Sequence, residues 1–120
     1  VNMFLKIKKN RGIQVNHNGM SKSLVVDVGS DFLINLAHIG EVSFYSQSEP
    51  RERVNLNNRP FTQPPGTKVV HLQMSHTHAS FKEDDGRVHQ KVYYKLYFSP
   101  ENVDTYNEIR EVFDTRTTNL

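Results

Sequence analysis

Two histidines separated by a single residue, His76 and His78, have the spacing in this chain that best suits metal binding. Residues two apart on a β-strand point to the same side, so both imidazoles could reach one ion. Two imidazoles alone are too few ligands for a zinc site. We therefore expect no metal or other cofactor here, with both side chains hydrogen-bonded near Tyr94 on the core side of a sheet.

A resemblance gives the alternative for these histidines. The segment His76-Thr77-His78, followed by Glu83, resembles the first metal motif of the cupins. That resemblance implies a metal-dependent enzyme in which these three side chains are ligands. Val70 and Gln90 stand where the family has flanking glycines, so the match departs from the family pattern.

Further along the chain, lysine and tyrosine alternate in a row that consists of Lys91, Tyr93, Lys95 and Tyr97. Gln73 is expected opposite this row on the neighbouring strand. Exposed aromatics interleaved with lysines can stack bases and neutralise phosphates. Tyrosine equally suits a protein partner, since it offers a large contact area at little entropic cost. The structural alternative is a solvated face on which lysine stems cover the rings. On the exposed reading, replacing Tyr93 and Tyr97 by alanine should weaken binding without lowering the melting temperature.

No combination of residues suggests an active site. No nucleophile, base and acid occur at a usable spacing, and the six glycines are scattered singly rather than gathered in a phosphate-binding loop. We expect a non-enzymatic protein with no catalytic residue.

The segment that must position these candidates is a hairpin over 68–98. Asp84-Asp85-Gly86 fits a three-residue loop that pairs Glu83 with Arg87. In that register Leu72 faces Phe98 and Met74 faces Leu96, so the apolar residues share one side. The lysine and tyrosine row lies on the other side.

A helix should follow over 99–114. Ser99 suits the N-cap and Pro100 the first helical position. One apolar stripe should lie on the sheet face of Leu72 and Phe98; it consists of Val103, Tyr106, Ile109, Val112 and Phe113. Residues 115–120 should form a frayed tail.

Shorter strands are expected before the hairpin. The pattern predicts strands at 3–8, 23–28 and 41–45, with a turn at Asn10-Arg11-Gly12 and a short return strand after it. Residues 32–39 fit a strand or a helical turn equally well; they also resemble the closing block of LytTR-type DNA-binding domains.

Residues 57–67 read as an irregular loop, because Pro60, Pro64, Pro65 and Gly66 interrupt regular ladders. The loop is either a connector or a binding loop. Phe61, isolated among polar residues, either fills the core or contacts a partner.

Composition sets broad limits. The 120 residues are enough for one domain over 1–120. The absence of cysteine is compatible with a reducing, cytoplasmic setting, and no stretch is apolar enough for a membrane span. The net charge of +2 and pI near 8.9 are lower than expected for a dedicated nucleic-acid binder.

Together these patterns predict an α+β domain: an antiparallel sheet of about five or six strands, with a long hairpin and one C-terminal helix. A partly closed barrel is the alternative architecture. The expected function is protein binding through the lysine and tyrosine face, with Phe61 as an additional contact. The alternatives are a nucleic-acid binder and a metal-dependent enzyme. A homo-oligomer is compatible with a long exposed edge, and the small size would suit an accessory protein of a phage or mobile element.

Overall fold

The structure is a computed structural model that describes residues 4–17, 26–55, 57–75, 80–82, 88–90 and 93–118. Its helix, α1, spans Val103–Asp114. The strands, in chain order, are β1 (Phe4–Ile7), β2 (Asn10–His17), β3 (Val26–Val28), β4 (Phe32–Asn35), β5 (Ile39–Gln47), β6 (Arg51–Val54), β7 (Pro60–Gln63), β8 (Thr67–Met74), β9 (Ser80–Lys82), β10 (Val88–Gln90) and β11 (Tyr93–Phe98).

The main sheet has five strands in the order β3-β2-β11-β8-β5, and every neighbouring pair is antiparallel. Its two edges, β3 and β5, do not pair with each other, so the sheet is open rather than closed into a barrel. Strands β1 and β4 form a separate two-stranded sheet, as do β6 with β7 and β9 with β10. The predicted α+β fold with an antiparallel sheet and a C-terminal helix is confirmed.

Helix α1 covers one face of the main sheet, here called the helix-side face. Tyr106 and Ile109 are buried and join a core whose sheet residues include Val70, Leu72, Met74, Leu96 and Phe98. Tyr106 meets Phe98 and Phe44 edge-on, with ring centroids 6.1 Å apart in both pairs, a favoured aromatic geometry. The predicted stripe therefore lies on the predicted face.

Helix α1 begins after a short 3-10 turn over Pro100–Asn102. The Ser99 hydroxyl makes no capping bond to the backbone but accepts from Asn102 Nδ2 at 3.0 Å. Asn10 Nδ2 in turn donates to Asn102 Oδ1 at 2.8 Å, and Ser99 N donates to Gly12 O at 3.1 Å. These bonds tie the start of β2 to the start of the helix. At the other end, the Thr115 and Thr117 hydroxyls donate to helix carbonyls. These two residues of the predicted tail are therefore bonded to the helix.

The predicted hairpin register is confirmed at the tip and wrong at the base. Val88 pairs with Lys82 and Gln90 with Ser80, as the Asp84-Asp85-Gly86 loop requires. At the base, however, Leu72 pairs with Tyr94 instead of Phe98. Between the two ladders the first arm has six residues, 74–79, and the second arm has two, 91–92. The displacement of four residues is even, so the side chains keep their predicted faces.

Two predictions made for earlier segments are corrected. Asn10-Arg11-Gly12 is not a turn but the start of β2, which pairs with β11 and β3, while β1 pairs with β4. The expected irregular loop at 57–67 contains β7, which pairs with β6. Pro60 is tolerated there because it is the first residue of its strand.

Residues 32–39 combine the two structures between which the sequence did not decide. Phe32–Asn35 is strand β4, and Leu36–His38 is a 3-10 turn. Asn35 ends the strand by accepting a hydrogen bond from Ala37 N at its side-chain oxygen. An asparagine that bonds to the backbone two residues on favours such a turn.

Replacing Gly12 by alanine should destabilise the protein by about 1–2 kcal/mol, because the new methyl group would collide with the Asn102 amide and displace its hydrogen bonds to Asn10 and Ser99. Gly29→Ala is the matched control, since nothing lies within 4 Å of a methyl group there. Urea unfolding of both variants measures the difference, and equal free energies of unfolding would contradict the role of this cluster.

Candidate functional site

The second face of the main sheet, here called the polar face, contains most of the predicted site. Its central strands contribute Val69, His71 and Gln73 from β8, and Tyr93, Lys95 and Tyr97 from β11. Opposite them, β2 contributes Gln14 and Asn16, and β5 contributes Glu41, Ser43 and Tyr45. The face is therefore polar along most of its length, although it belongs to the two most deeply buried strands of the sheet.

One end of the polar face is covered by the β6–β7 pair. Tyr97 is only 2% exposed and packs with Val69 and Phe61 in a small second core. The Arg53 guanidinium lies 5.2 Å from the centroid of the Tyr97 ring, within the range of a cation–π contact. Phe61 thus fills a core rather than standing free.

Hydrogen bonds hold this cover on the sheet. Gln63 Nε2 donates to Gln14 Oε1 at 3.0 Å, and Arg53 Nε donates to Gln63 Oε1 at 3.1 Å. The link from β7 to β8 is a tight turn in which Gly66 has a φ of 83°, a conformation that favours glycine. Gly66 N also donates to Gln47 O at 2.7 Å, which fixes the turn against the end of β5.

At the other end of the polar face, beyond the β6–β7 pair, the side chains are half-buried. His71 meets Tyr93 edge-on at 5.2 Å between ring centroids, and Lys95 Nζ lies 5.6 Å from the Tyr93 ring centroid. Burial of His71, together with the positive charge of Lys95, lowers the pKa of its imidazole. His71 is therefore held neutral beside a cation.

A polar cleft of about 380 Å³ lies at the junction of the covered and open ends; its lining residues are Tyr45, Ser46, Gln47, Ser48, Glu49, Arg51, Arg53 and Lys95. It contains three cationic side chains and one carboxylate. No carboxylate of the described residues forms an ion pair with Arg51, Arg53 or Lys95. The cleft is therefore a local site of positive charge on a chain whose net charge is only +2.

Two buried polar atoms lie on this side of the sheet without a hydrogen-bond partner among the described residues. They are Gln47 Oε1, in the wall of the cleft, and His71 Nε2. Gln47 is only 8% exposed. Buried polar atoms are nearly always paired, and unpaired ones are enriched at functional sites.

The predicted binding residues divide into three groups. Tyr93, Lys95 and Gln73 lie together on the open part of the polar face, half-buried. Tyr97 lies under the β6–β7 cover, and Phe61 is the residue of β7 that packs against it, so the expectation that Tyr97 is exposed is wrong. Lys91 is outside the described residues.

Several residues of the cleft were not singled out from the sequence. Arg51 and Arg53 alternate along β6, and Tyr45 is 41% exposed on β5. Burial raises the pKa of the Tyr45 phenol, while Arg53 and Arg51 act in the opposite direction. The one available signal was the alternation of arginines in a polar stretch, which reads equally well as a solvated strand.

The histidines of the cupin-like motif, His76 and His78, lie outside the described residues, as does Glu83. Tyr94, expected beside His76, instead pairs with Leu72 and His17. Within the described ranges, no group of three or more His, Asp or Glu side chains could hold a metal ion. The described helix is neither long nor apolar enough to cross a membrane.

In comparisons with known proteins, no family model, no curated protein and no solved structure matches this chain. The functional argument therefore depends on the polar face itself.

Tyr97→Ala should lower the free energy of unfolding by about 3–5 kcal/mol, since it empties a buried aromatic site between Val69 and Phe61. The matched control Tyr45→Ala, at an exposed ring, should change it by less than about 0.5 kcal/mol. Chemical denaturation of both variants decides the point. Similar small losses would mean that Tyr97 is as exposed as the alternating pattern suggested.

Stability should fall as the pH drops below about 7, because unfolded histidine takes up a proton near its ordinary pKa of 6.5 while His71 resists protonation. In that window the unfolded state binds more protons, so acid favours it. His71→Gln should flatten this part of the profile relative to the wild-type protein. Denaturant titrations of both proteins between pH 5 and pH 8 measure the difference in slope. An identical slope in the variant and the wild-type protein would contradict the prediction.

Proposed function

We propose that this chain is a non-enzymatic binding module that takes an acidic segment of a partner protein on its polar face. The segment would enter the cleft between Tyr45, Arg51 and Lys95 and continue over Tyr93. The observation that carries the proposal is the composition of the cleft. It combines three cations lacking ion-pair partners among the described residues with a single carboxylate, that of Glu49.

An acidic peptide suits a cleft of this composition. Its Asp or Glu carboxylates would accept charge-assisted hydrogen bonds from Arg51 and Lys95. Tyr45 and Tyr93 would provide rigid aromatic contact area, a feature enriched in protein interfaces.

Arg53 differs from its neighbours because it is already engaged. It donates to Gln63 and lies over the Tyr97 ring, so its guanidinium is held in place before any partner arrives. A pre-positioned cation loses little side-chain entropy on binding. Arg51 is exposed and makes no such contact with the described residues, so it would be ordered by the partner.

Sheet-surface binding of nucleic acid remains the second candidate, because the same cations could neutralise phosphates. The burial of Tyr97 weakens it. A sheet that binds single strands needs several rings free for base stacking, and here the β6–β7 cover removes one ring from the predicted row. Tyr93 and Tyr45 are left, and they lie on different strands separated by β8.

Fluorescence polarisation with two probes of equal charge tests the proposal: a labelled peptide of alternating Asp and Gly, and a thymidine oligonucleotide. We expect the peptide to bind more tightly. Arg51→Glu and Lys95→Gln should each weaken peptide binding roughly tenfold.

Arg59→Glu is the matched control, since it makes the same charge change in the turn between β6 and β7, at a residue outside the cleft. Equal losses in Arg51→Glu and Arg59→Glu would mean that only net charge matters and would reject the cleft as the site. Tighter oligonucleotide binding, with a steep loss of affinity on addition of salt, would favour the nucleic-acid alternative.

A further inference from the structure

The two edges of the main sheet differ in how they are protected against added strands. The ladder of edge strand β3 with β2 shifts register between Asn10 and Gln14, and irregular edges resist pairing with another chain. Edge strand β5 has nine residues; its ladder with β8 shifts register between Ile39 and Glu41 and is regular from Glu41 to Gln47.

From Glu41 to Gln47, the outer side of β5 lacks the usual defences of an edge. Within the described ranges, β8 is the only strand that pairs with β5. The strand contains neither lysine nor proline, the residues that most often block strand addition. Its backbone N–H and C=O groups on the outer side are therefore a regular template for another strand.

We propose that β5 pairs antiparallel with β5 of a second copy of this chain, with Ser43 opposite Ser43 on the two-fold axis. Directly opposed residues of an antiparallel pair lie on the same face of the sheet. An odd-numbered residue of one β5 can therefore stand only opposite an odd-numbered residue of the other. With Ser43 at the centre, Val42 meets Phe44 on the helix-side face and Glu41 meets Tyr45 on the polar face. In this register the five residues from Glu41 to Tyr45 overlap within the regular part of the strand.

Side-chain complementarity selects this register over its neighbours. Val42 and Phe44 are both half-buried, and a β-branched residue opposite an aromatic one is a stabilising cross-strand pair. Centring the pair on Phe44 would instead set Val42 opposite Ser46, whose hydroxyl is engaged by Lys68 Nζ at 2.8 Å. The register centred on Ser43 leaves that hydrogen bond intact.

Charge complementarity acts in the same direction. Glu41 is the single charged residue of β5. In the paired form, Glu41 of the second copy would stand beside Tyr45, in the wall of the cleft that contains Arg51 and Arg53. Because a two-fold contact occurs twice, both ends of the paired strands gain this attraction. This pairing does not depend on the proposed binding of an acidic partner protein. Glu41 of the second copy would, however, lie at the rim of the same cleft.

Cysteine cross-linking tests the register directly, because the chain has no cysteine of its own. Ser43 is exposed, so Ser43→Cys should fold normally. In the proposed pair the two introduced thiols would be neighbours and should form an intermolecular disulfide under mild oxidation. Ser46→Cys, exposed on the same strand, is the matched control, since its two copies would be about 20 Å apart along the strands.

Sedimentation of the wild-type protein over a range of concentrations supplies the second readout. We expect a reversible dimer, and disulfide formation at least about tenfold faster in Ser43→Cys than in Ser46→Cys, because only the first pair comes within bridging distance. A wild-type protein that stays monomeric at every concentration would overturn the proposal. So would a dimer in which both cysteines react at the same rate, because that dimer would use another surface.

Discussion

The architecture depends on burying strand β11 on both of its faces. Leu96 and Phe98 point to the helix-side face and Tyr97 to the polar face, yet all three are almost completely inaccessible. A strand at the centre of an open sheet reaches this state only when a further layer covers each face. Helix α1 supplies one layer, and the β6–β7 pair supplies part of the other. The chain between β5 and β8 is therefore a structural cover rather than a connector.

Incomplete cover on the polar face is what creates the candidate site. The β6–β7 pair reaches Tyr97 and Gln14 but stops short of Lys95, Tyr93 and His71. Where the cover ends, the sheet surface and the start of β6 enclose the cleft, with cations on both sides. A fully covering layer would bury Lys95, at a large cost in desolvation unless it gained a partner. A half-covered face avoids that cost and leaves the charge accessible.

Local chemistry in the sequence predicted the elements that it alone determines. The apolar stripe predicts helix α1, because a 3.6-residue period is a property of one segment. The predicted start was too early, since Ser99 makes no capping bond to the backbone and α1 begins at Val103 after a 3-10 turn. The Asp84-Asp85-Gly86 loop predicts the pairing of β9 with β10, since a tight turn fixes the register next to it. The base of the hairpin escaped this reasoning. Its register depends on how many residues each arm places between the two ladders, and no local signal records that number.

The burial of Tyr97 shows a second limit of such reasoning. Alternation along β11 assigns Tyr97 to a face correctly, but it cannot tell whether that face is covered. The answer lies in Phe61 on β7 and Arg53 on β6, both more than thirty positions away. In the sequence, prolines obscured β7. Pro60 looked like a barrier to pairing, yet a proline at the start of a strand costs no ladder bond.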